Sequence, residues 1–322
     1  MKSNPSRLSA VNNVSERRRF LKSLATPALL ALLPSGAFAS GNQAIITKAI
    51  PVSGEQIPVI GMGTWITFNV GNDIATRNGR TQVLKTFFDL GGKMVDSSPM
   101  YGSAEEVMGY ALKQLAKTQG EAVRKSLFAT TKVWTPFDGE EQINDSYSLW
   151  GVDQFDLFQI HNLVNWEDHL QRLQALKKAG KIRYVGITTS HGRRHADLEQ
   201  IMKTQALDFI QLTYNVEDRE VEARLLPLAK EKGIAVIVNR PFQGGRLFDR
   251  YGNKPLPSWA SEIGCDNWAQ FFLKFVVSHP AVTCAIPATS QVAHMQENMA
   301  AGRGELVTQA TRDRMLAYLQ SI

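Results

Sequence analysis

An aspartate and a tyrosine stand five residues apart in Val95-Asp96-Ser97-Ser98-Pro99-Met100-Tyr101-Gly102, where an apolar run gives way to turn residues. A lysine lies near the end of Phe128-Ala-Thr-Thr-Lys132-Val-Trp134, and a histidine follows Phe155-Asp-Leu-Phe-Gln-Ile160 as His161-Asn162. A phenol with its ordinary pKa near 10 gives up a proton reluctantly at neutral pH. An ammonium beside it would stabilise the phenolate, and a carboxylate would hold and polarise that ammonium. An imidazole nearby could donate to, or orient, a substrate oxygen. Tyr101 as general acid, Lys132 and Asp96 behind it, and His161 beside it would thus make a site for charge developing on a carbonyl oxygen. Each residue alone has a commoner use: a turn cap, a packing tyrosine, a solvated lysine, a core-edge histidine. Only a fold that gathers these strand ends turns four residues into one site.

The elements that must do so are legible as an alternation. The chain has 322 residues, 43% hydrophobic and 20% charged, which is ordinary globular composition with ample apolar mass. Residues 45–50 and 56–58 flank Val52-Ser-Gly-Glu55 as a short hairpin. Apolar strands follow near 59–62, 93–96, 127–132, 155–160, 183–187, 208–212, 234–238 and 283–286. Helical patterns fall near 81–90, 103–116, 140–150, 166–179, 194–204, 220–232, 266–278 and 291–300, and a last amphipathic helix spans Arg312 to Leu319. Ser103 with Glu106 reads as a capping box for the second of these. Eight strands each followed by a helix specify an α/β fold, a (β/α)8 TIM barrel with an N-terminal β-hairpin, as one domain over residues 40–322. A doubly wound sheet fits less well, because no Gly-x-Gly-x-x-Gly turn joins a strand to a helix. Barrels build active sites where their strands end, and that is where Asp96, Tyr101, Lys132 and His161 fall.

With this order of residues the chain resembles the aldo-keto reductase superfamily, whose barrels carry an Asp, Tyr, Lys, His tetrad on strands two, two, three and four. The resemblance runs from about residue 45 to 301 and includes Gly61-Met-Gly-Thr-Trp65, Gly186-Ile-Thr-Thr189, Gln211, and Ile286-Pro-Ala-Thr-Ser290 leading to Glu297-Asn298. It implies reduction of an aldehyde or ketone by hydride from a nicotinamide cofactor, since no side chain can supply hydride. By the same resemblance Thr188, Thr189 and Gln211 face the nicotinamide carboxamide. Thr289 and Ser290, entering a helix N-terminus, take the adenosine phosphate, and Glu297 and Asn298 hold the adenine. Ala288 and His294 stand where many members carry Lys and Arg against the 2'-phosphate, which leaves NADPH and NADH both open. Asn239-Arg240-Pro-Phe242 stands where many have a stacking tyrosine, so Arg240 is assigned to phosphate or substrate. Trp65 and Trp134 wall an apolar substrate pocket whose shape depends on loops 135–142 and 240–262. Two other readings compete. A metal-dependent hydrolase would need His and carboxylate clusters at strand ends, but His191 and His195 fall at a helix start and His161 has no His-x-His neighbour. A non-catalytic nicotinamide-binding sensor or scaffold could use the same barrel.

The first 39 residues differ in character. Lys2, Arg7, Arg17, Arg18, Arg19 and Lys22 face a single acid, Glu16, so this segment carries about +5 of the chain's +6 and nothing in the remainder suggests nucleic acid as a partner. A basic stretch, Glu16-Arg-Arg-Arg-Phe-Leu-Lys22, is followed by a modest apolar segment from Leu24 to Leu33 and by Ala37-Phe-Ala39, a small-x-small cleavage site. The pattern resembles a twin-arginine export signal, with Glu16 where Ser or Thr is usual. It implies passage through the twin-arginine machinery, cleavage after Ala39, a periplasmic location and no stable membrane anchor, the apolar run being short and broken by Pro27 and Pro34. Cys265 and Cys284 are expected to stay unbridged at opposite ends of a helix roughly 20 Å long.

Overall fold

The computed structural model describes residues 44–322, so the export reading of residues 1–39 lies outside the described residues. An antiparallel hairpin of β1 (Thr47–Ala49) and β2 (Gln56–Pro58) comes first. Eight strands then pair in parallel and in chain order: β3 (Met62–Gly63), β4 (Met94–Asp96), β5 (Phe128–Val133), β6 (Phe155–Ile160), β7 (Ile182–Thr188), β8 (Phe209–Thr213), β9 (Ala235–Asn239) and β10 (Cys284–Ala285). Parallel bridges Ile60↔Ala285 and Gly63↔Ala288 bring the first strand against the last, which makes the sheet a (β/α)8 barrel with an N-terminal hairpin. The seam is tight: a Cβ on Gly63 would stand 2.8 Å from the Ile286 carbonyl oxygen, so glycine is what lets the strands meet.

The helices are α1 (Ile74–Asp89), α2 (Ala104–Gln119), α3 (Ala122–Lys125), α4 (Glu140–Trp150), α5 (Trp166–Lys178), α6 (His195–Thr204), α7 (Leu225–Lys232), α8 (Arg246–Tyr251), α9 (Trp268–Val277), α10 (Val292–Ala300) and α11 (Gln309–Ser321). Several boundaries differ from the sequence expectation for physical reasons. Helix α1 starts before residue 81 because Asp73 caps it, accepting from the Thr76 amide at 2.7 Å, although Asn78 and Gly79 make its first turns read as loop. The segment 220–232 splits into a 3-10 turn at Glu220–Glu222 and α7, with Arg224 breaking the helix at φ −139°. The capping box is not formed. Ser103 has near-helical backbone angles, and its hydroxyl accepts from the Gly71 amide at 2.8 Å and donates to Asn69 Oδ1 at 3.2 Å. Glu106 turns instead to Arg77, at 2.8 Å.

Burial is organised in two shells. Strand residues facing outward pack with the helices in an annular core that includes Val95, Ala129, Phe158, Ile187, Ile210 and Val236. Inside the barrel a separate cluster of Met94, Phe128, Leu157, Tyr184, Phe209, Ile237, Cys284 and Ile286 is joined by Ile50 and Ile57 from the hairpin. Strands buried on both faces are continuous apolar runs, as their sequences show. Cys284 belongs to the inner cluster and Cys265 to the annulus, and both thiols are free.

The hairpin thus covers the end of the barrel where the strands begin. It is fastened by Lys48, whose ammonium donates to the carbonyls of Val277, His279 and Val282 at 2.7 to 2.9 Å, capping the C-terminal end of α9. Arg183 pairs with Glu55, and the Tyr184 hydroxyl reaches Ser53 and Glu55 at 2.8 Å. Lys48→Met should therefore leave three carbonyls without a partner and lower unfolding free energy by about 2–3 kcal/mol in urea titrations. A loss under about 0.5 kcal/mol would mean water replaces the ammonium at no cost.

Candidate active site

Successive strands each deliver a polar group to the end where they finish. Asp96 is the last residue of β4, Lys132 lies one residue inside the end of β5, and His161 follows β6 directly. Thr188 ends β7, Gln211 sits within β8 and Asn239 ends β9. Tyr101 rides on a 3-10 turn, Pro99–Tyr101, capped by Ser98, whose oxygen accepts from the Met100 amide at 3.2 Å.

The lysine is wholly buried and its three protons are spoken for. It donates to Asp96 Oδ2 at 2.5 Å, to the Ser97 carbonyl at 2.8 Å and to the Tyr101 hydroxyl at 3.4 Å. The other carboxylate oxygen of Asp96 accepts from the side-chain amides of Gln159 at 3.0 Å and Gln211 at 3.1 Å. Because Lys132 can only donate, the phenol oxygen is the acceptor in that pair and its own proton is free to turn to the cleft. Burial alone would pull the Lys132 ammonium down, but the charges and hydrogen bonds of Asp96 and Tyr101 hold it above the ordinary lysine range. For Tyr101 the balance runs against the sequence expectation of an ammonium-lowered phenol. Burial raises it most, Lys132 offsets part of that, and Asp96 adds to the rise. The resting state is a protonated phenol that keeps its proton beyond the ordinary tyrosine pKa.

His161 stands edge-on to the Tyr101 ring, with centroids 5.6 Å apart and planes at 90°. Its Nδ1 lies 2.8 Å from Ser98 Oγ. Burial, helped by the Lys132 charge, pushes the imidazole down to about 2, so the folded protein holds it neutral around pH 7. Two pH effects follow. Neither His161 nor Tyr101 changes charge between about pH 6 and 9, so any proton transfer that draws on them should be level there and fall only above about 10. Stability should decline as pH drops below about 6.5, where the unfolded histidine takes up a proton that the folded one refuses, at up to about 1.4 kcal/mol per pH unit from this group. A rate profile with a limb near pH 7 traced to His161 would contradict the neutral ring.

Asp96, Tyr101 and His161 border a cleft of about 410 Å³, with Lys132 buried behind them; the cleft is also lined by Trp65, Ile66, Met100, Asn162, Thr188, Thr189, Arg193, Asn239, Arg240, Phe242, Phe248 and Ala288 among others. Thr189 is 2% exposed, and its hydroxyl has no hydrogen-bond partner. Arg240 lays its guanidinium 5.5 Å from the centre of the Trp65 ring. Eight non-glycine residues among those described have positive φ: Ile66, Asn162, Leu163, Asn165, His191, Arg194, Arg240 and Gln243. All lie in loops after β3, β6, β7 or β9, at the same end as the cleft.

Other sequence candidates are placed differently. Trp134 is 41% exposed, exchanges hydrogen bonds with Gln142, and does not line the cleft. Thr289 and Ser290 precede α10, whose first turn has no side-chain cap. The Thr289 hydroxyl instead accepts from the Gln291 amide at 3.1 Å, and the Ser290 carbonyl accepts from Arg80 at 3.3 Å. His294 is exposed on the first turn of α10, and Asn298 is buried on its inner face with Glu297 beside it. Gln211 spends its amide on Asp96 and Gln159, and its oxygen accepts from Asn239 at 3.4 Å. Sequence reasoning missed Ser98, Gln159, Asn162 and Asn239. Gln159 carried a signal, as the one uncharged polar residue in an apolar strand, two positions before His161.

Residues 59–313 match the family model described as the aldo/keto reductase family. The chain belongs to that family. The reductase is 29% identical over 270 residues to methylglyoxal reductase YeaE of Escherichia coli, an alignment covering 80% of this chain and 90% of the relative. It is 26% identical to glyoxal reductase of Bacillus subtilis, over 76% and 83% of the two chains. Among solved structures, an aldo/keto reductase from Klebsiella pneumoniae in complex with NADP and acetate superposes with a TM-score of 0.67 at 25% identity, over 82% of the reductase and 93% of that chain.

Proposed function

We infer that the reductase uses hydride from a bound nicotinamide to reduce the carbonyl of a small aldehyde or ketone, with Tyr101 donating the proton. The observation that carries this reading is the chain Asp96–Lys132–Tyr101, with a neutral His161 beside it, at an accessible cleft. When bound, the nicotinamide supplies the hydride that no side chain has. Thr188, Thr189 and Gln211 would hold its carboxamide end, and the unpartnered Thr189 hydroxyl fits that use. Thr289, Ser290, Glu297 and Asn298 would hold the adenosine end, with Arg240 near the phosphates. Tyr101 moves its proton to the substrate oxygen, Lys132 moderates the phenolate left behind, and His161 donates a hydrogen bond as charge appears on that oxygen.

The names of the relatives favour short dicarbonyls such as methylglyoxal and glyoxal as the first substrates to try. NADPH is the preferred cofactor in this reading, in keeping with the Klebsiella structure, while an Escherichia coli relative 27% identical over 234 residues is named an NADH-specific methylglyoxal reductase. Turnover of aldehydes, ketones and quinones with each nicotinamide, followed by loss of reduced nicotinamide absorbance, tests it. Binding of either cofactor with no turnover on any carbonyl would favour the sensor or scaffold reading instead.

Export belongs to the same proposal. Residues 1–39 serve as a twin-arginine address, and the folded enzyme works in the periplasm after cleavage at Ala39. Replacing Arg17 and Arg18 by Lys should strand an active, uncleaved precursor in the cytoplasm. Wild-type protein found in the cytosol with residues 1–39 intact would end the export proposal and leave the reductase reading standing.

A further inference from the structure

The geometry points to Ser98 as a positioning residue that fixes the tautomer of His161, so that the imidazole presents Nε2–H to the cleft. The inference rests on the reductase reading only for its purpose; the tautomer itself follows from proton counting. A serine hydroxyl has one proton and two lone pairs. Ser98 is fully buried, and its oxygen has two partners: the Met100 amide at 3.2 Å, which can only donate, and His161 Nδ1 at 2.8 Å. Only Nδ1 can receive the Ser98 proton. If Nδ1 carried hydrogen, the oxygen would accept twice and its own proton would be buried without an acceptor, an arrangement native structures avoid. The neutral ring must then carry its proton on Nε2, which has no hydrogen-bond partner among the described residues, and His161 borders the cleft.

The same serine caps the turn that carries Tyr101. One side chain therefore sets both the direction of one donor and the position of the other. With Nδ1–H instead, Nε2 would be a lone pair aimed at the place where negative charge develops, and His161 would oppose the reaction rather than assist it. Among the described residues Ser98 is the hydrogen-bond partner of Nδ1.

The test is long-range proton–nitrogen NMR on full-length, histidine-labelled protein, in which six histidines are present and His161 is assigned by its disappearance in His161→Asn. Wild type should show Nδ1 as the bare, pyridine-like nitrogen and Nε2 as the protonated one. In Ser98→Ala the two should exchange or average, and kcat should fall by about 10- to 100-fold with nicotinamide affinity and KM little changed. Ser98→Thr, which keeps the hydroxyl, should restore the wild-type nitrogen pattern and recover most of the lost turnover. An Nδ1–H pattern in wild type overturns the inference. So does a Ser98→Ala protein whose nitrogens match wild type, even if its turnover drops, because Ser98 would then act only through the turn. The nitrogen pattern is read without substrate, so a protein that reduces no carbonyl at all would defeat the functional reading and leave the tautomer to be judged separately.

Discussion

Tyr101→Phe is expected to lower kcat by about 100- to 10,000-fold while nicotinamide binding stays within about twofold of wild type. The ring is retained, so the edge-on contact with His161 and the apolar wall beside it survive; the hydroxyl is gone, and with it the proton and the weakest of the three acceptors of Lys132. Fluorescence titration of the reduced nicotinamide would report binding, and single-turnover kinetics would report the chemical step. A variant keeping more than about a tenth of wild-type turnover in the chemical step would remove Tyr101 as the acid. Solvent then has to supply the proton, and His161 remains as the one donor beside it.

Breaking the ion pair at the centre of the site is the second large effect. Asp96 is 1% exposed and Lys132 is wholly buried, so neither can turn to water if the other is lost. Asp96→Ala leaves an ammonium and the amides of Gln159 and Gln211 without their acceptor, and is expected to lower unfolding free energy by about 3–5 kcal/mol. Replacing both partners, as Asp96→Leu with Lys132→Met, should recover the part of that loss due to the stranded ammonium, while the amides of Gln159 and Gln211 still lack the Asp96 acceptor. Both proteins should be nearly inactive. Urea unfolding of the two variants decides the matter: equal losses in the single and the double variant would mean that the pair, and not the stranded charge, is what stabilises the barrel.

Much of this architecture was legible because parallel strands buried on both faces must be apolar throughout and must be joined by amphipathic helices. The runs ending in Asp96, Lys132 and His161 advertise both the strand and the point where it stops. Short elements were not legible. Helix α8 has six residues between Gly245 and Gly252 and offers no periodicity to read, and the turn bearing Tyr101 is a single 3-10 step. The capping box failed for a different reason. Ser103 found better partners 32 and 34 positions away in Gly71 and Asn69, and no local pattern records that. The direction of the Tyr101 shift was missed likewise, since desolvation depends on what covers a group and not on its neighbours in the chain.

The two ends of the barrel are held by opposite means. Where the strands begin, the hairpin fills the interior with Ile50 and Ile57 and is pinned by Lys48 to three carbonyls. Where they end, eight side-chain-bearing residues sit in the left-handed region, among them Ile66, a β-branched residue for which that conformation costs roughly 1–3 kcal/mol. Selection for heat resistance and selection for a new substrate would therefore write their changes at opposite poles of one molecule. A library confined to the tense pole could be searched deeply, because the fastened one keeps the chain folded while it is searched.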